Sequence, residues 1–268
     1  MARSAMEPVL MATSEGLATI TLNRPDSYNA LDLALGQQLL GALIACDESS
    51  DVRAVLITGN GPAFCSGGDI REMQAHADDG GGAGEYLKRL TVRLHAIVAT
   101  IARMPKPVVT AVNGPAAGAG LSLALAGDLV LASERATFTV AYTAIGLAPD
   151  GGSSYLLPRL IGPKRAFELI ATNRAVEPAE ALELGMVNRV HPADGFLEGA
   201  SDYAASLARG ATVALGHGKN LLLSGATNGL ETVMEYERRA IASCGSTADF
   251  REGATAFMEK REPRFVGS

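Results

Sequence analysis

Three stretches of this sequence hold residues whose types and spacing can do chemistry. The first is Phe64-Cys65-Ser66-Gly67-Gly68-Asp69-Ile70. The second is Asn113-Gly114-Pro115-Ala116-Ala117-Gly118-Ala119-Gly120, which runs into a segment of small residues. Each is a Gly-rich turn after a short apolar run. Small residues let a ligand approach the backbone, and N–H groups at a helix start are free to donate. Two such turns can aim two N–H donors at one oxygen, which is an oxyanion hole. Each also reads as an ordinary strand-to-helix turn. The third stretch, Ile145 to Ser153 (IGLAPDGGS), places one carboxylate, Asp150, in a turn bounded by proline and glycine. Taken alone, Asp150 reads equally as a helix N-cap.

Other chemistries lack their residues. Gly118, Gly120 and Leu123 do not complete a GxGxxG dinucleotide fingerprint, and neither GxxxxGK[ST] nor GxSxG occurs. The three cysteines (Cys46, Cys65, Cys244) form no CxxC, and the four histidines (His76, His95, His191, His217) are dispersed with no HExxH. This usage points to a reducing compartment, with neither a disulfide framework nor a metal site. Cys65 adjoins the first turn, but no base accompanies it.

The elements that must position these residues alternate. Val9–Thr13 and Leu17–Leu22 read as strands around a Ser14-Glu15-Gly16 hairpin turn. Asp32 reads as the N-cap of a helix with Leu35, Leu39, Leu43 and Ile44 on one face. Ala54–Thr58, Val108–Val112 and Leu129–Ala132 read as buried strands, and Phe138–Val140 as a short one. A long amphipathic helix carries Leu87, Leu90, Leu94, Ile97, Val98 and Ile101 and stops at Met104-Pro105. Residues 60–84 read as loop-rich, with Asp78–Gly84 either a lid over a ligand or simply flexible. The alternation implies an α/β core with ligands at the strand ends. Past residue 195 the strand signals cease. The reading is a core over 1–195 and a helical appendage over 196–268, broken near Gly210 and Gly245.

Composition bounds the rest. The chain has 268 residues, 47% hydrophobic and 19% charged, enough apolar side chain for a sizeable core. Acids outnumber bases 29 to 23, a net charge of -6. That balance argues against nucleic acid or an anionic membrane as the main partner. No apolar run reaches membrane-spanning length and no signal peptide is evident, so a cytoplasmic protein is expected.

Six segments, in order, make the sequence similar to the enoyl-CoA hydratase/isomerase (crotonase) superfamily. They are NRPDSYNAL (Asn23–Leu31), AVLITGNGPAFCSGGDI (Ala54–Ile70), KPVVTAVNGPAAGAG (Lys106–Gly120), GDLVLASERATF (Gly127–Phe138), GLAPDGGSSYLLPRLIG (Gly146–Gly162) and FMEKREPRF (Phe257–Phe265). The GLAPDGG segment resembles that of 1,2-epoxyphenylacetyl-CoA isomerase-like members.

The resemblance implies a crotonase-type ββα spiral core with a C-terminal helical region that builds homotrimers or hexamers. It implies an acyl-CoA thioester substrate. Coenzyme A arrives with that substrate, so no separate cofactor and no metal is expected. The oxyanion-hole amides fall on Gly68 and Ala119. Arg24 and Lys260 are expected near the CoA phosphates, Lys260 toward an adjacent subunit. The backbone around Ala63, Ser66 and Ile70 is expected to cradle the adenine, and Asp69 is expected among the CoA-binding residues. Hydratases of the family carry two glutamates at the positions of Ser122 and Tyr142, and neither residue here is a carboxylate. Neither hydroxyl is a general base near neutral pH at its ordinary acidity. What remains is Asp150, at a position that carries the acid/base in some double-bond isomerases of the family. The reading is an isomerase with Asp150, Gly68 and Ala119 as its catalytic groups, and with Ser122 and Tyr142 either facing the substrate or packing the core. Hydration, thioester hydrolysis or dehalogenation, and silent acyl-CoA binding are the alternatives.

Overall fold

The computed structural model describes residues 7–78 and 82–268. Strands β1 (Val9–Ser14) and β2 (Leu17–Leu22) form an antiparallel hairpin. Its turn puts Glu15 and Gly16 in the left-handed region (φ 49° and 82°), the geometry of a two-residue primed turn. From β2 the sheet continues in parallel through β3 (Ala54–Gly59), β4 (Val108–Val112), β6 (Leu129–Ser133) and β8 (Arg189–His191). Strands β3 and β4 are buried at every position, as expected of parallel strands covered on both faces.

A second, smaller set of pairings runs beside this sheet. Two-residue strands β5 (Ala116–Ala117) and β7 (Phe138–Thr139) pair in parallel. Single bridges extend the row, from Cys65 to Ala116 at one end and from Phe138 to Val176 at the other. Thus β3, β4 and β6 are each followed by a short pairing segment (Cys65, β5 and β7) in this second row. This is the expected ββα repeat.

Helix α1 (Leu33–Glu48) begins where Asp32 Oδ1 accepts from the Leu35 N–H at 2.7 Å. Its face of Leu35, Leu39, Leu43 and Cys46 packs with α3 (Ala83–Arg103), which contributes Leu90, Leu94, Ile97 and Ile101. At the other end of α1, Lys106 Nζ donates to the carbonyls of Cys46, Asp47 and Ser49 at 2.5, 3.0 and 2.6 Å. Those carbonyls have no partner within the helix, and leaving a buried one unpaired costs about 1–3 kcal/mol. So the lysine that opens the Lys106–Gly120 segment ties the first helix to the strand that leads into the second Gly-rich turn.

After α5 (Ser153–Ile161), α6 (Pro163–Thr172) and α7 (Pro178–Glu183), helix α8 (Phe196–Ala208) lies on the outer face of the sheet. Its Ala200, Ala204 and Ala208 meet Leu56, Val109, Ala111 and Leu131. The expected boundary at 195 therefore precedes a helix with a buried alanine face. Helices α9 (Thr212–Gly225), α10 (Leu230–Gly245) and α11 (Ala248–Glu259) follow. They leave large apolar side chains in the open: Leu230, Met234 and Ile241 on α10, Phe250, Phe257 and Met258 on α11. The last residues fold back on their own chain. Asp249 accepts from the N–H groups of Val266 and Gly267 at 2.7 and 2.9 Å, and Arg53 Nη1 donates to the Phe265 carbonyl at 3.0 Å.

Two expectations need correcting. The loop-rich stretch 60–84 also holds a helix the sequence did not reveal, α2 (Ile70–Asp78). Its only large apolar residues are Ile70 and Met73, too few to display a helical period. Strand β8 was not anticipated, because three residues carry no alternation and only pairing with β6 defines them. The Asp78–Gly84 segment lies in part outside the described residues.

Candidate active site

The two Gly-rich turns meet at the ends of β3 and β4. The Ala117 N–H donates to the Cys65 carbonyl at 3.0 Å, clasping one turn to the other. Asparagines brace the first. Asn29 Nδ2 donates to the carbonyls of Asn60 and Ala63 at 3.0 and 2.8 Å, and Asn113 Oδ1 accepts from the Gly59 N–H at 3.1 Å. The second turn opens α4 (Ala119–Ala126), a helix of small and aliphatic residues buried at every position. Its second residue, Gly120, is packed so closely that an added Cβ would lie 1.9 Å from the Cys65 carbonyl oxygen. Among the described residues, neither the Gly68 N–H nor the Ala119 N–H has an acceptor within the chain, and both residues line one cavity.

That cavity has a volume of about 350 Å³ and a mostly apolar wall. Met73 and Leu31 lie on one side, Leu87, Leu90 and Leu94 of α3 on another, and Ala144, Ile145, Leu147 and Ala148 on a third. Asp150 is the only carboxylate among the lining residues described.

Four hydroxyls converge on Asp150. Thr91 Oγ1 donates to Oδ2 at 2.6 Å, and the Tyr142 hydroxyl donates to Oδ1 at 2.7 Å. Ser122 and Ser153 hydroxyls donate to its backbone carbonyl at 2.9 and 2.8 Å. Ser122 Oγ and the Tyr142 oxygen are 2.9 Å apart. Ala141, a non-glycine residue at φ 62°, turns the chain just before Tyr142. After Asp150 the chain turns through Gly151 at φ 59°, where an added Cβ would come within 2.7 Å of Leu94 and Ser122. That glycine is what lets the turn press the carboxylate against α3 and α4. Burial, and then the Asp150 charge, push the Tyr142 phenol well above its ordinary pKa, so it is a neutral donor.

The other expected site residues fall in three places. Ser66 and Ile70 line the cavity beside Gly68, while Ala63 is fully buried behind the turn. Asp69 is buried outside the lining. Its Oδ2 takes Arg24 Nη2 at 3.0 Å and its Oδ1 accepts from the Arg71 N–H at 3.2 Å, at the start of α2. Arg24 also pairs with Asp32 at 3.1 Å and donates to the Ala30 carbonyl, so its guanidinium is a strut between three segments. Lys260 is exposed at the C-cap of α11, away from the lining residues. Cys65 is buried and its thiol is pushed up to about 11 by burial, which leaves it inert. Reading the sequence missed Thr91, Asn29 and Asn113. The two asparagines sit inside the quoted segments, whereas Thr91 had no signal beyond being a hydroxyl on an apolar helix face.

No group of three or more metal-ligating side chains gathers among the described residues, and no described helix is long and apolar enough to cross a membrane.

Comparison with known proteins agrees with this architecture. The enoyl-CoA hydratase/isomerase family profile matches residues 12–268. The chain is 37% identical over 262 residues to the 1,2-epoxyphenylacetyl-CoA isomerase of Escherichia coli K12, covering 98% of this chain and 99% of that protein. It is 37% identical over 251 residues to 4-chlorobenzoyl coenzyme A dehalogenase-2 of an Arthrobacter species, covering 92% and 89%. Its backbone superposes on the crystal structure of an enoyl-CoA hydratase from Bacillus anthracis with a TM-score of 0.91 at 32% identity, over 97% of this chain and 100% of that one. With its ββα spiral, its paired Gly-rich turns and a family match spanning nearly the whole length, the chain belongs to the enoyl-CoA hydratase/isomerase family and has the crotonase fold.

Proposed function

We propose that this protein is an acyl-CoA isomerase that shifts a double bond through a thioester enolate. The observation that carries the reading is the single carboxylate among the cavity's described lining residues, set among apolar side chains beside two backbone N–H groups that have no acceptor among the described residues. Ser122 and Tyr142, which replace the hydratase glutamates, form hydrogen bonds to Asp150.

The chemistry balances with one carboxylate. For a 3-enoyl thioester, Asp150 removes a proton from C2. The C–H electron pair moves toward the carbonyl oxygen, giving a dienolate whose oxyanion accepts from Gly68 and Ala119. The carboxylic acid then returns the proton to C4, the thioester carbonyl re-forms, and the double bond lies between C2 and C3. No water is consumed, so no second group is needed to activate one. Fixed amide donors at a developing oxyanion are worth about 3 kcal/mol each. The apolar wall suits an uncharged acyl or aryl chain.

The test is a panel of 2-enoyl, 3-enoyl and arylacetyl CoA thioesters followed by NMR in deuterated water. The expected result is conversion of 3-enoyl to 2-enoyl thioester, with slow entry of deuterium next to the carbonyl. Hydration of the 2-enoyl substrate without isomerisation would overturn it.

The open apolar residues of α10 and α11 support the second part of the proposal, that the protein is a homotrimer or a dimer of trimers. An exposed patch of this kind on a lone chain favours self-association. Sedimentation at micromolar concentration is expected to give three or six protomer masses, and a single protomer's mass would overturn the assembly.

A further inference from the structure

We infer that Thr91, on helix α3, is a positioning residue that aims the Asp150 carboxylate throughout the proton shuttle. The inference rests on the isomerase reading above and deepens it. Thr91 lies outside every segment that carries the family resemblance.

The geometry is that of a two-sided clamp. Thr91 donates to Oδ2 at 2.6 Å and Tyr142 to Oδ1 at 2.7 Å. The two donors come from separate elements, α3 and the turn at 141–145. A carboxylate held at one oxygen can still swing about its Cβ–Cγ bond, and one held at both cannot. The backbone of Asp150 is anchored independently through its carbonyl by Ser122 and Ser153. The hydroxyl is also out of character with its surroundings. The other α3 residues on the cavity wall are Leu87, Leu90 and Leu94. A hydroxyl on such a wall needs a partner, and the partner present is the carboxylate.

Threonine in a helix has a second option, because its hydroxyl can turn to the carbonyl of the residue four positions back, here Leu87. While Asp150 is ionised, Thr91 donates to Oδ2. Once Asp150 carries the substrate proton on Oδ2, that O–H faces the dienolate, and Thr91 either donates to the other lone pair of Oδ2 or turns its hydrogen to its own helix. Each half of the reaction then keeps its hydrogen bonds. The acid is held in place until it reprotonates the dienolate.

Thr91→Val keeps the branched shape and removes the hydroxyl. In the assay above, kcat is expected to fall roughly 10- to 100-fold with KM within about twofold, a loss typical of a misplaced catalytic group. Deuterium incorporated per turnover is expected to rise, because a loosened acid lets the intermediate exchange with solvent before it collapses. Thr91→Ser is expected to restore both readouts to within a few-fold of wild type. A valine variant with unchanged kcat and unchanged deuterium per turnover would overturn the role. So would a serine variant as impaired as valine, which would mark the site as packing alone. If the wild-type protein itself neither isomerises nor exchanges, the shuttle fails and the part given to Thr91 fails with it. The wild-type arm separates that failure from the others.

Discussion

Replacing Asp150 with asparagine is expected to lower kcat for 3-enoyl isomerisation by at least about 1,000-fold, within the range contributed by positioned acid–base groups. The substitution is nearly isosteric. The asparagine carbonyl can still accept from Thr91 or Tyr142. Its amide meets the other hydroxyl, which can turn to accept; Tyr142 has the Ser122 oxygen 2.9 Å away as an alternative partner. The backbone anchors through Ser122 and Ser153 are untouched. The fold and thioester binding should therefore survive, and KM should change little. What disappears is the only carboxylate among the described lining residues, the group to which the proposed mechanism assigns the proton, while Tyr142 is held as a neutral hydroxyl. Kinetics of the purified variant, with thioester affinity measured by calorimetry, check this. Activity within a few-fold of wild type would remove Asp150 from the mechanism.

Gly120→Ala should do comparable damage by a different route. The new methyl would sit 1.9 Å from the Cys65 carbonyl oxygen, which belongs to the backbone of the neighbouring turn and already accepts from the Ala117 N–H. Neither partner is the free end of a flexible chain, so α4 must move away from the first turn. Overpacking of this kind costs about 1–3 kcal/mol and more when backbone must shift. In a chain of this size each kcal/mol lowers the melting temperature by about 2–4 °C. The same displacement carries the Ala119 N–H away from that of Gly68, and on the proposed mechanism the loss of one oxyanion donor costs about 100- to 1,000-fold in kcat. Gly68→Ala is the control for folding. There an added Cβ meets the terminal methyl of Met73, at 2.2 Å, and that side chain can swing aside. Thermal denaturation of both variants should show Gly120→Ala as much the less stable. Equal melting temperatures would show that the contact between the two turns is not rigid.

Much of the scaffold was legible before any coordinates. The strands at Ala54, Val108 and Leu129 are short, largely aliphatic runs that end at glycine, asparagine or serine, and burial on both faces leaves each only one small hydroxyl residue (Thr58, Thr110 or Ser133) among the aliphatics. Asp32 announced its helix because an aspartate before a periodic apolar face has one local job, which it performs on the Leu35 N–H. The two Gly-rich turns were legible as a pair, since close approach of backbones demands small residues whatever else surrounds them.

Other features lacked any local signature. Arg24, expected to face phosphate, is drawn between Asp32 and Asp69, and that choice of counter-ion depends on where α1 and α2 begin in space. Helix α2 and strand β8 are too short to carry a period and exist through what they pack or pair against.

The amino-acid sequence by itself determined the alternating α/β scaffold and the two Gly-rich turns, which depend on residue type and spacing within a few positions, while the crotonase fold and the choice of Asp150 came through the resemblance of six ordered segments to a family. The tertiary structure alone decided that Ser122 and Tyr142 serve Asp150, and that a threonine on α3 completes its clamp. These residues lie 8 to 59 positions from Asp150 along the chain. A hydroxyl has no preferred partner until folding brings one within hydrogen-bond reach, so its role is a property of the packed molecule.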